Sequence, residues 1–262
     1  MSTVVRIPTA GRRKIEGTML LPDGKRERHP AVLFLHGWGS SGQKHLLPAE
    51  RLCDLGFVAL AIDLRGHGKT EKLERAVTAR DNLRDAFAAY DFLTTQPEVD
   101  KNRIGVGGYS YGGFLGILLS AERKVRWLAV RSPALYRDKD LDTPKAKINR
   151  RGLMAFRRRR LSVDDAEGLR AAAAVRAHVL VIEAQHDRVI PHQAIKNYMK
   201  AFRSAKSLTY RMIRGADHAM SKEKWYLTLW TISSSGYDQR PEGTWAHFAV
   251  DSITSSDLSR RN

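Results

Sequence analysis

Two rhythms of apolar residues alternate along this chain. Residues 3–8 and 13–21 alternate polar with apolar positions and are rich in β-branched side chains, which predicts two short strands paired antiparallel at a sheet edge. Short, nearly unbroken apolar runs follow at 31–37 (AVLFLHG), 57–66 (FVALAIDLRG), 103–110 (RIGVGGYS), 125–130 (VRWLAV), 178–184 (HVLVIEA) and 207–213 (SLTYRMI). Runs of this length and composition read as strands buried on both faces. Between them lie stretches of helical spacing: around 45–55, over 74–95 (Val77, Leu83, Phe87, Tyr90 and Leu93 recur on one side), over 114–122 and over 192–204. Strands separated by helical crossovers predict an α/β fold, a mostly parallel, doubly wound sheet with helices on both faces. Such a sheet binds its ligand in the crevice beyond the carboxyl ends of the strands.

The rhythm breaks over residues 133–176, which are polar, basic and spaced for two or three short helices. The expectation is one α/β domain over 1–262 with an insertion there. After the last strand, 221–233 has the spacing of a shortened final helix, and 234–262 shows no period at all, as expected of a divergent or flexible tail.

Composition narrows the classes. At 42% hydrophobic and 28% charged, the 262 residues are those of a globular chain and not of a disordered one. Uninterrupted apolar stretches such as 31–35 and 57–62, the latter the longest, fall far short of the roughly 20 residues that cross a bilayer. The first residues lack the apolar core of a secretory signal, so a cytoplasmic location is expected. The one cysteine, Cys53, cannot form an internal disulfide or a cysteine-based zinc site and reads as a core residue. Charge is the unusual quantity: +17, with residues 137–160 holding ten Lys or Arg against three Asp. Such a stripe binds phosphates by counterion release or is simply a solvated face.

The chemistry concentrates at Gly108-Tyr109-Ser110-Tyr111-Gly112-Gly113. It fits G-x-S-x-G, follows a strand and opens a helix, which is the context the motif requires. A serine at so sharp a turn needs small neighbours, and the helix N-terminus aims amide N–H groups at developing negative charge. A serine hydroxyl is a poor nucleophile until a base oriented by a third group takes its proton. For this fold the chain order is serine, acid, histidine. Asp187 follows the strand 178–184 and His218 follows the strand 207–213, so both fall on the rim that carries Ser110. Glu183 lies inside its strand and is less suited. His186 and His192 read as loop residues, and His36 as a packing residue. The oxyanion hole is expected from the backbone N–H of Tyr111 and of Trp38, the latter in the loop His36-Gly37-Trp38-Gly39. Tyr109, Tyr111, Trp38 and, from the insertion, Tyr136, Met154 and Phe156 are the candidate pocket residues.

The segments LFLHGWG, AIDLRGHGKT, RIGVGGYSYGG, HDRVIP and GADHAM resemble the α/β-hydrolase superfamily over about residues 1–220. The G-x-S-Y-G-G form is similar to dienelactone-hydrolase-like esterases and prolyl-oligopeptidase-type serine hydrolases. Dienelactone hydrolases proper carry cysteine where this chain has Ser110. The resemblance implies a serine hydrolase without a cofactor and makes 133–176 a small cap over the site. On this reading the partner is a small acyl or ester substrate, an anionic one being the alternative that the basic insertion adds, with an acyl ester first and a small peptide or amide second. Transfer of the acyl group to another acceptor uses the same intermediate. A reading from another class, a basic nucleic-acid-binding or anion-binding module on a hydrolase fold, rests on the charge alone, and the complete set of catalytic residues argues against it.

Overall fold

The protein is described by a computed structural model covering residues 1–9, 13–23, 28–222 and 224–225. Most of the proposed last helix (221–233) and all of the 234–262 tail lie outside these residues. Strands β1 (Ser2–Thr9) and β2 (Arg13–Leu20) pair antiparallel over their whole length, as their alternation predicts. β2 then lies antiparallel on β4 (Val58–Ile62). The remaining pairings, through β3 (His29–Leu35), β5 (Val99–Tyr109), β6 (Trp127–Arg131), β7 (His178–Ala184) and β8 (Ser207–Ile213), are parallel. The eight described strands form one sheet in the order β1-β2-β4-β3-β5-β6-β7-β8. It is the fold of the α/β hydrolases.

Strand order reverses between β3 and β5: the chain steps outward from β3 to β4, then returns to the other side of β3 as β5. At such a switch point the loops after the two strands diverge and leave a crevice. The register aligns the strand ends around it, with Gly108 of β5 beside Leu35 of β3 and Tyr109 beside Arg131 of β6.

The helices are α1 (Leu46–Asp54), α2 (Ala79–Thr94), α3 (Tyr111–Glu122), α4 (Arg150–Arg157), α5 (Glu167–Ala174) and α6 (His192–Ala201). α2 starts five residues later than its hydrophobic spacing predicts, because Thr78 caps it. The Thr78 side chain accepts from the Asp81 N–H, and the Asp81 carboxylate accepts from the Thr78 N–H. α3 is buried from Tyr111 through Ser120 and runs behind β5 as the centre of the main hydrophobic core.

The irregular stretch 133–176 divides in two. Its second half, α5, packs on α3, where Gly168 sits against the Phe114 ring and the Tyr198 hydroxyl. Arg80 of α2 fixes α5 further by a two-pronged hydrogen bond to Glu167, at 2.5 and 2.7 Å. Its first half, through α4, lies along the crevice.

Candidate active site

Ser110 sits between β5 and α3 at φ 51°, ψ −113°, a conformation that a non-glycine residue keeps only when its surroundings hold it. Its N–H donates to the Arg131 carbonyl at 2.8 Å, and its carbonyl accepts from Ala134 at 2.9 Å and Phe114 at 3.1 Å. The flanking glycines are required sterically. A Cβ on Gly112 would lie 1.9 Å from the Leu35 carbonyl oxygen, and one on Gly108 would lie 2.5 Å from the Gly112 carbonyl oxygen. A side chain at Gly112 would force the turn off β3 and one at Gly108 would push β5 away from the head of α3, so the motif spacing follows from the packing that pushes Ser110 into the crevice.

His218 lies in the loop after β8. Its Nε2 stands 3.0 Å from Ser110 Oγ, and its Nδ1 stands 2.7 Å from Asp187 Oδ2. The other Asp187 oxygen accepts from the Val189 and Ile190 N–H groups at 2.8 and 2.7 Å. Burial alone would raise the Asp187 pKa. The hydrogen bond and charge of His218 and the Ile190 N–H outweigh it and hold the carboxyl below its usual range. Asp187 is therefore an ionised acceptor with every oxygen engaged, and Nδ1 of His218 is its donor. The His218 loop is tethered from behind by Arg131, whose Nη1 donates to the His218 carbonyl at 2.6 Å.

A cavity of about 1210 Å³ opens at Ser110 and His218 and runs along the sheet face that carries Phe34, Gly107 and Ala129. Tyr109, Tyr136 and Met154 line it, as does Trp38. Tyr109 is fixed by donating its hydroxyl to Ser40 Oγ at 2.5 Å and by the Arg131 guanidinium over its ring. From α4 the lining residues are Arg150, Leu153, Met154 and Arg157, one stripe at helical spacing. Phe156 falls off that stripe and is buried in the main core, so it does not belong to the pocket. The Tyr111 side chain also turns away from the cavity. It is fully buried and donates its hydroxyl to Asn82 Oδ1 at 2.9 Å, while its ring meets Trp38 edge-on. The two residues expected to offer oxyanion-binding amides are thus in contact through their rings.

The remaining candidates fall where their surroundings put them. His36 is fully buried. Its Nδ1 bonds the Gly37 carbonyl at 2.8 Å and its Nε2 accepts from the Leu64 N–H at 3.0 Å, while burial lowers its pKa to about 3. It is a neutral brace under the Trp38 loop. Glu183 is buried and accepts from His192 Nδ1 and the Tyr210 hydroxyl, away from Ser110. Sequence reasoning missed three residues that shape the site: Asn82, Arg131 and Lys145. Asn82 sits on the buried stripe of α2, where an amide needs a partner; that was the available signal. Lys145 was one cation in a basic run, with nothing to single it out.

Among the described residues no cluster of His, Cys, Asp or Glu could hold a metal ion, and no helix is long and apolar enough to cross a membrane.

Comparison with known proteins agrees with the geometry. An uncharacterised protein of Mycobacterium tuberculosis is 29% identical over 191 residues, which is 72% of this chain and 63% of that protein. The chain therefore spans somewhat under two thirds of that relative's length. Among solved structures, a dienelactone hydrolase from Anabaena variabilis superposes with a TM-score of 0.68 at 21% identity, covering 90% of this chain and 95% of that one. The acylaminoacyl peptidase of Pyrococcus horikoshii superposes with a TM-score of 0.70 at 18% identity, covering 95% of this chain and 43% of that one. At these identities the structures share the fold. The family model of the prolyl oligopeptidases matches residues 47–230, a stretch that includes Ser110, Asp187 and His218. On that match, the chain belongs to the prolyl oligopeptidase family.

Proposed function

We propose that the protein is a serine hydrolase that cleaves a carboxylic ester or related acyl compound through an acyl-enzyme on Ser110. One observation carries the reading: Ser110 Oγ, His218 Nε2 and Asp187 Oδ2 are linked in series, at 3.0 and 2.7 Å, at the mouth of a large cavity. Ser110 Oγ attacks the carbonyl carbon while its proton passes to His218 Nε2. Nδ1–H of the resulting imidazolium donates to the ionised Asp187, which fixes the tautomer. Negative charge gathers on the carbonyl oxygen against the Tyr111 N–H at the head of α3 and the Trp38 N–H in the loop after β3. His218 then protonates the leaving group, and water reverses the sequence to free Ser110.

A second reading, hydrolysis of a small peptide or amide, is favoured by membership of a peptidase family. Against a substrate with a free amino terminus stands the charge of the cavity. Seven of its described lining residues are Lys or Arg and one, Glu74, is acidic. A cationic amine is repelled there, so the ester or an N-blocked amide is the better fit. The test is a panel of p-nitrophenyl acyl esters, aminoacyl-naphthylamides and N-acylated aminoacyl-naphthylamides. Turnover of the esters well above both amide sets is expected, and faster cleavage of the free aminoacyl-naphthylamides would reverse the assignment.

A further inference from the structure

Lys145 is unusual in its place. It stands in a short 3₁₀ turn (Lys145–Lys147) before α4, and its Nζ lies 3.8 Å from the centre of the Tyr111 ring, 4.1 Å from Trp38 and 5.2 Å from Tyr136. The ammonium is thus enclosed by aromatic faces in the wall of the Ser110 cavity. Burial first, then Arg157 and Arg150, push it well below the usual lysine range, and Glu74 opposes them only in part. Arg157 is buried beside it. Its Nε donates to the Leu135 carbonyl at 2.9 Å, its Nη1 to the Val189 carbonyl at 3.3 Å, and its guanidinium lies 5.1 Å from the Tyr136 ring.

Among the described residues neither Lys145 nor Arg157 pairs with a carboxylate. Buried Arg65 shows the contrast, since Asp85 meets it at 2.7 Å. Keeping Lys145 protonated beside the Arg157 guanidinium without a counter-ion is costly, because cation–π contacts replace only part of the lost hydration. An anion entering the cavity relieves that cost, and Lys145 has three N–H donors to offer it.

We propose that Lys145 and Arg157 form an anion subsite in the Ser110 cavity, and that the preferred substrate is an ester or N-blocked amide carrying a carboxylate. The inference rests on the hydrolase reading and deepens it. The carboxylate docks on the Lys145 ammonium beside the Arg157 guanidinium, while the scissile carbonyl lies at Ser110. The aromatic rings hold the ammonium in place, so little side-chain entropy remains to be lost when the anion binds.

The test compares matched esters. Mono-p-nitrophenyl glutarate against p-nitrophenyl valerate places the charge on the acyl side. 4-Acetoxybenzoate against 4-acetoxybenzamide places it on the leaving group. Fluorophosphonate labelling of the same preparation shows first whether Ser110 is activated, so a dead hydrolase is distinguished from a wrong subsite. In at least one pair the anionic ester is expected to have the higher kcat/KM, by roughly 10- to 100-fold, the range of one charge-assisted hydrogen bond. Lys145→Met collapses that ratio toward one, and Lys145→Arg retains most of it. Should Lys145→Met fail to fold, Lys145→Gln gives the same reading. A wild-type ratio near or below one in both pairs, with Ser110 labelled, overturns the proposal. So does a preference that survives loss of the Lys145 charge.

Discussion

Two carboxylate–histidine pairs hang from the same strand, β7, and they are nearly identical in length. Asp187 meets His218 Nδ1 at 2.7 Å, and Glu183 meets His192 Nδ1 at 2.8 Å. In each pair the carboxylate is almost wholly enclosed, at 3% side-chain exposure. The difference lies on the far side of the imidazole. Nε2 of His218 faces Ser110 at 3.0 Å, whereas His192, at 51% side-chain exposure, opens α6 at the surface. A bonded acid and base are therefore not a site by themselves. The Ser110–His218–Asp187 series forms because the parallel register brings the ends of β5, β7 and β8 to one rim. The loop after β7 lets Asp187 turn toward that rim, while Glu183, still inside the strand, is directed to α6 and Tyr210.

Substitutions at the two pairs sharpen the contrast. Ser110→Ala or His218→Ala is expected to lower kcat on a p-nitrophenyl ester by about four orders of magnitude or more with the fold retained, as circular dichroism and steady-state kinetics will show. Asp187→Asn keeps the shape but unsettles the His218 tautomer, and a loss near 10⁴-fold is the precedent for that change. Tyr111→Phe removes the hydrogen bond to Asn82 behind the proposed oxyanion amides. It should cost about 1 kcal/mol in urea unfolding and reduce kcat more than it raises KM. Glu183→Gln should leave kcat/KM within about twofold while lowering stability by roughly 1–3 kcal/mol, the scale of a buried charged hydrogen bond. A catalytic loss at Glu183 comparable to that at Asp187 would remove the distinction altogether.

The smallest effect is in the acid limb. Asp187 has a lowered pKa in the folded protein, so its contribution to stability is present above the ordinary carboxylate value of about 3.9 and is lost as pH falls through the lowered one. The stability gap between wild type and Asp187→Asn should hold steady near neutrality and narrow below about pH 4. A gap that narrows instead above pH 5 would contradict the direction of the shift.

Strand positions and the three residues at their ends were legible in the sequence because they depend on local pattern. Apolar runs fix the strands, glycine spacing marks the turn at Ser110, and Asp187 and His218 each follow a strand end. The boundaries of α2 were misread because the Thr78 cap overrides hydrophobic spacing upstream of it. The pocket wall was less legible. Met154 and Phe156 lie two positions apart on α4, yet only Met154 lies on the stripe with Arg150 and Arg157 that faces the cavity. Composition names both residues, but only the helix phase separates them. Lys145 was hidden for a related reason: its three rings come from the loop after β3, the head of α3 and the loop after β6, which are distant in sequence.

Whether Ser110 is an activated nucleophile is read out by a fluorophosphonate probe with peptide mapping. A single adduct on Ser110 is expected, lost in His218→Ala and unaffected in His192→Ala. A folded protein that takes no label at Ser110, or labels equally well without His218, would contradict that activation.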